Sequence, residues 1–197
     1  HIVVSEDGRD TTLELADLPT IDASANVLVG EGTYDPPSTP LDENGQGDPY
    51  ATYAFAAQIA ALEVDLALGT VHLERIVAAH DLGKAINPTL VEGQIHGGIA
   101  QGIGLALMEE YIPGRTENLH DYLIPTFGDV PDIDVILIED PEPEGPYGAK
   151  GIGEPALVPT APAIFNAIRH ATGVQVTRAP LLPHRLKAAI DAKAKEA

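Results

Sequence analysis

The 197-residue chain fits one large domain or two small ones, and its 44% apolar content can fill a core. Thirty acidic residues against eleven basic ones give a formal net charge of −19, which repels phosphate backbones and anionic lipid and argues against nucleic-acid or peripheral membrane binding. There is no cysteine, so disulfides, protein-ligated iron–sulfur clusters and cysteine-ligated zinc are excluded within these residues, and any redox centre must be held through a bound cofactor or lie on another segment.

No apolar run approaches the roughly 20 residues of a membrane-spanning helix. The start His1-Ile2-Val3-Val4 reads as neither a signal peptide nor an initiator-methionine start, so the expectation is a soluble chain. Residues 1–30 read as short strands and turns, with a turn at Ser5-Glu6-Asp7-Gly8 and a strand at Val27-Leu28-Val29. From Tyr34 to Pro49 the density of Pro, Gly and Asp predicts an irregular loop, of a kind often functional or draped over a ligand. Ala51 to Asp65 reads as one long strand, or a strand broken by a bulge. Val71 to Ala79 returns beside it in a hairpin that turns through Asp65-Leu66-Ala67-Leu68-Gly69.

After Asn87-Pro88 a helix is predicted from about Thr89 to Glu110. Its interior, Gly97-Gly98-Ile99-Ala100-Gln101-Gly102-Ile103-Gly104, is both apolar and glycine-rich. Each interior Gly costs ~1 kcal/mol of helix stability relative to Ala, so such a run implies a buried helix whose backbone closely approaches a sheet or a cofactor. A strand at Asp134–Ile138 and a loop at Asp140–Pro146 then lead into Lys150–Glu154. A helix from about Pro159 to Thr172 buries Ile164, Phe165, Ala167 and Ile168 and ends at Gly173. A last helix begins near Pro183, with Leu186, Ala189 and Ile190 inward and Lys193 and Lys195 at its negative end. The fold class expected is α+β: a mixed sheet with long hairpin strands, packed by a buried glycine-rich helix and the C-terminal helices. Residues 1–197 read as one domain portion, with residues 1–33 an N-terminal segment of weaker signal.

Several residues could carry chemistry. Glu154 lies between Gly153 and Pro155, after Gly151. A carboxylate held by a rigid Pro and approached through side-chain-free glycines suits a general base, although Glu before Pro also reads as an exposed turn or first-turn helix residue. Lys150 either orients an anion or is solvated. Gly151, Gly153 and Ala156 satisfy a loose dinucleotide pattern, but they follow a Pro/Glu loop and not a strand, and Glu154 would put negative charge where a pyrophosphate approaches. Gln94 and Gln101 lie two turns apart on one helix face beside Gly97, Gly98 and Gly102. Their amides would hydrogen-bond an oxo ligand or a pterin ring, or neighbouring backbone. The seven histidines show no His-x-x-x-His pair, against a dedicated zinc site, and His80-Asp81 and His120-Asp121 read as structural. No serine sits in a nucleophile elbow.

Three segments together carry a resemblance: His80-Asp81-Leu82-Gly83-Lys84-Ala85-Ile86-Asn87-Pro88, then Glu92-Gly93-Gln94 through Gly104, then Gly148 to Ala156. In order and spacing they resemble the xanthine oxidase and aldehyde oxidase family of molybdenum hydroxylases, at the end of its molybdopterin-binding large subunit. The resemblance runs from about Tyr34 to the last helix. It implies a molybdenum held by the dithiolene of a pterin, in bacterial members the cytosine dinucleotide form, with no metal ligand required from the protein. It implies that Glu154 takes the proton from a molybdenum-bound hydroxyl as its oxygen attacks a heterocycle or an aldehyde. It places Gln94 near the molybdenum and pterin, with Gln101, Gly97, Gly98, Lys150 and Gly151 as further cofactor neighbours. The rest of the large subunit, and iron–sulfur and flavin (FAD) modules on partner subunits, are implied as well. The location expected is the bacterial cytoplasm, with the periplasm as the alternative. The upstream half of that subunit is missing here, so the chain is either one chain of a split hydroxylase or a piece of one, inactive alone. A non-catalytic scaffold or assembly subunit of the same fold is the competing reading.

Overall fold

The computed structural model describes residues 1–21 and 28–196, and the chain divides into two compact units, His1–Asp35 and Pro36–Ala197. In the first unit strands β1 (Ile2–Glu6) and β2 (Arg9–Leu13) pair antiparallel, Glu6 opposite Arg9. The expected turn tightens to Asp7-Gly8, both with positive φ (49° and 76°), the conformation that matches a two-residue hairpin to strand twist. Of the expected strand at Val27–Val29, Val27 lies outside the described residues, while Leu28 and Val29 have no regular structure.

The second unit is built on a three-stranded mixed sheet of order β3-β4-β5: β3 (Ala56–Asp65) runs antiparallel to β4 (Thr70–Asp81), and β5 (Asp132–Ile138) parallel to it. The irregular loop before it extends further than expected. Tyr50 to Phe55 stay out of the sheet, Tyr50 and Tyr53 meeting edge to face. The bulge falls on β4. Ala61 pairs with Arg75 and Leu62 with Leu73, leaving Glu74 as the extra residue. That one residue reverses the alternation, so Leu73 faces the core before it and Ile76, Ala78 and His80 after it.

Helix α1 (Pro88–Leu107) connects β4 to the parallel β5. It starts where its sequence says: Asn87 caps it, the side chain accepting from the Leu90 N–H at 3.2 Å, and Pro88 takes a first-turn position. Ile95, Ile99 and Ile103, spaced i, i+4, i+8, form a fully buried stripe. The opposite face is open: Gln94, Gly97 and Gln101 are exposed. Of the helix expected to be buried, one face is buried and the other is open. Helix α2 (Thr160–Thr172) packs on β3 and on α1, burying Ile164 and Ile168, and ends in the left-handed Gly173. Helix α3 (Pro183–Glu196) adds Leu186. All three helices share one core on one sheet face, giving the α+β architecture expected. Among the described residues no helix is long and apolar enough to cross a membrane.

Candidate functional site

The stretch Gly148–Ala156 crosses the unit as a strap anchored at both ends. At its start it lies against the exit of β4: the Lys84 N–H donates to the Gly148 carbonyl (2.7 Å) and the Lys150 N–H to the Leu82 carbonyl (2.8 Å). Gly83 is required there. Its φ is +66°, and a Cβ on it would collide with the Gly148 carbonyl. The Lys150 ammonium turns inward to Asp81 at 2.6 Å, with side-chain exposures of 7% and 9%. Burial pushes the Asp81 carboxyl up, but the hydrogen bond and charge of Lys150 and the backbone of Gly83 and Phe55 outweigh it and hold the carboxyl below its ordinary range. Asp81 in turn raises the Lys150 ammonium, against burial. Lys150 is thus engaged with Asp81 within the fold.

At its other end the strap is held by Ala156, which is fully buried. A Cβ on Gly98 would come within 2.7 Å of the Ala156 Cβ and 3.1 Å of the Leu157 nitrogen. Gly98 therefore lets α1 touch the strap. The Ala156 carbonyl accepts from Gln58 Nε2 (3.0 Å) and from the Thr160 hydroxyl (3.0 Å), and that hydroxyl also reaches Gln58 Oε1 (2.8 Å). Gln58 Nε2 stands 3.2 Å from Nε2 of the fully buried His80, whose imidazolium burial disfavours. His80 and Asp81 are neighbours on β4, and neighbouring strand side chains diverge. One serves the Ala156 end of the strap and the other its Lys150 end, the structural role expected of the pair.

Between these anchors Gly151, Gly153 and Glu154 are exposed, while Ile152 packs on the core. Among the described residues the backbone N–H groups of residues 151–154 have no acceptor, and the Glu154 carboxylate has no hydrogen-bond or ion-pair partner. The Leu157 N–H closes a turn onto the Glu154 carbonyl at 3.0 Å. On α1, Gln101 lines a cleft of about 410 Å³ with Ala100, Leu105, Glu109, Ile124 and Leu157. Glu109 is already committed, accepting from the Tyr122 hydroxyl at 2.7 Å and pushing that phenol above its ordinary range. Gln94 and Gly97 share the exposed face of α1, and a Cβ on Gly93, Gly97 or Gly151 would meet nothing within 4 Å. Open amides, free backbone donors and glycine-cleared space suit the edge of a heteroaromatic ring and its oxygen atoms. Gln58 and Thr160 escaped the sequence reading because nothing local marks them; their partners lie 98 and 102 residues apart in the chain.

The molybdopterin cofactor-binding domain model matches residues 2–131. The xanthine dehydrogenase molybdenum-binding subunit of Escherichia coli is 45% identical over 139 residues, 68% of this chain and 18% of that one. Among solved structures, the aldehyde oxidoreductase from Desulfovibrio gigas superimposes with a TM-score of 0.75 at 36% identity, covering 78% of this chain and 17% of that one. The quinoline 2-oxidoreductase from Pseudomonas putida gives 0.63 at 39% identity, covering 67% and 18%. The chain thus spans 17% to 18% of the length of these relatives.

Proposed function

The chain belongs to the molybdenum hydroxylase family as a partial molybdopterin cofactor-binding domain, and we propose that within the assembled enzyme it supplies the base, Glu154, for hydroxylation of a heterocycle or an aldehyde. The observation that carries this reading is a contrast within the strap: its ends are pinned by buried polar contacts while Glu154 stands exposed without a partner among the described residues. A base needs this combination of a fixed backbone and an unengaged carboxylate.

The bound molybdenum–pterin group contributes the oxygen-transfer and two-electron chemistry. Gln94 and Gln101 would hold it through their side-chain amides, with Gly97 clearing the helix face between them. The N–H groups of Gly151 to Glu154 would donate to its oxygen atoms. A Glu154 carboxylate oxygen accepts the proton released as water-derived oxygen passes to the substrate carbon. We further infer the cytosine dinucleotide form of the pterin. The electrons leave through iron–sulfur and flavin partners, and the rest of the large subunit completes the substrate pocket, since the chain covers 18% of the xanthine dehydrogenase subunit and 17% of the aldehyde oxidoreductase.

In the assembled enzyme, Glu154→Gln should abolish turnover while molybdenum content by elemental analysis stays at the parent level. Parent-level turnover in that variant would overturn the base assignment and favour a scaffold role. Absence of both molybdenum and pterin from the native complex would remove the reading altogether.

A further inference from the structure

We propose that Thr160, acting with Gln58, is a positioning residue for Glu154, an inference that rests on Glu154 being the base. Thr160 is the first residue of α2 and fully buried. It sits in a notch on α1 that exists only because residue 102 is glycine, since any Cβ there would overlap the threonine side chain.

A carbonyl oxygen has two lone pairs; at Ala156 one accepts from Gln58 Nε2 and the other faces the Thr160 hydroxyl at 3.0 Å. The single proton of that hydroxyl is shared between the Ala156 carbonyl and Gln58 Oε1 at 2.8 Å, so it ties the Gln58 amide and the carbonyl together. Fixing the carbonyl from two directions fixes the Ala156–Leu157 peptide plane. The N–H of that plane is the group that donates to the Glu154 carbonyl. The four-residue turn from Glu154 to Leu157 is thereby locked to α2 and β3, and with it the direction in which the Glu154 side chain leaves the backbone. Helix capping does not account for the contact, because the hydroxyl is directed to the carbonyl of Ala156 four residues back and to Gln58 on another element. A shift of about 1 Å in a reacting group is enough to lower a rate about a hundredfold, so a base carried on an exposed turn gains from such a brace.

The test uses three variants of the assembled holoenzyme: Thr160→Val, which keeps the shape and removes the hydroxyl, Thr160→Ser, which keeps the hydroxyl, and Glu154→Gln. Thr160→Val should lower kcat about tenfold or more with KM and molybdenum content unchanged. It should also speed amide hydrogen exchange at Leu157 about tenfold, a readout independent of turnover. Thr160→Ser should retain parent kcat and Leu157 protection. Parent kcat in Thr160→Val, unchanged exchange at Leu157, or equal impairment of the Ser and Val variants would each overturn the positioning role. The two readings separate cleanly. Normal turnover in Glu154→Gln defeats the base assignment whatever Thr160→Val does, whereas an inactive Glu154→Gln beside a fully active Thr160→Val leaves the base standing and removes the brace.

Discussion

Gly102 on α1 and Thr160 at the start of α2 interlock: the threonine side chain occupies the volume that a Cβ on residue 102 would fill. The contact sets how closely the two helices approach and seats the hydroxyl that holds the Ala156 carbonyl. Gly102→Ala should therefore destabilise the fold by about 1–3 kcal/mol, the usual effect of overpacking a core, even though Ala is the better helix former. Denaturant unfolding of the purified protein measures it. A stability equal to the parent would show that α2 moves aside without loss.

Gly97, next to Gly98 in sequence but on the open side of α1, behaves oppositely. A Cβ there meets nothing within 4 Å, so Gly97→Ala should stabilise the helix by up to about 1 kcal/mol. In the assembled enzyme the same methyl stands on the face proposed to hold the pterin, and molybdenum content per chain should fall. A stabilised variant that keeps its full molybdenum would place the cofactor elsewhere.

The Asp81–Lys150 pair is buried, and removing one partner leaves the other charge uncompensated. Lys150→Met should cost about 3 kcal/mol near neutral pH. The pH dependence follows from the two shifts. Asp81 is lowered from 3.8, so its contribution is complete above that value and is lost as pH falls through the still lower folded value. Lys150 is raised from 10.5, so its contribution is complete below that value and is lost as pH rises through the higher folded one. The pair's contribution to the parent should be flat between those limits and shrink outside them, and in Lys150→Met the unpaired, buried Asp81 is pushed up, so the difference from the parent should shrink as acid protonates it. A difference no larger at pH 7 than at pH 3 in unfolding curves would contradict the pairing.

Where a structural choice depends on adjacent residues, it was legible in the sequence. Asn87-Pro88 announces the start of α1 and Gly173 the end of α2, because capping and positive φ are properties of a few consecutive residues. The hairpin from β3 to β4 and the exposed setting of Glu154 between Gly153 and Pro155 belong to the same class. The run of glycines in α1 was legible as close approach but not as to what is approached. Gly98 and Gly102 meet Ala156 and Thr160, whereas Gly93 and Gly97 face open space, and only the rotation of the helix against the core separates them.

The sequence by itself determined the elements, their order, the α+β class and the family resemblance, since propensity, patterning and motif spacing are read along the chain. The tertiary structure alone decided which polar groups hold the strap. Asp81 meets Lys150 across 69 residues and Gln58 meets Thr160 across 102. The single extra residue Glu74 sets which face of β4 turns inward toward His80. A hydrogen bond or a buried ion pair depends on distances of about 3 Å, and no local pattern encodes a separation that depends on every element folded between the partners.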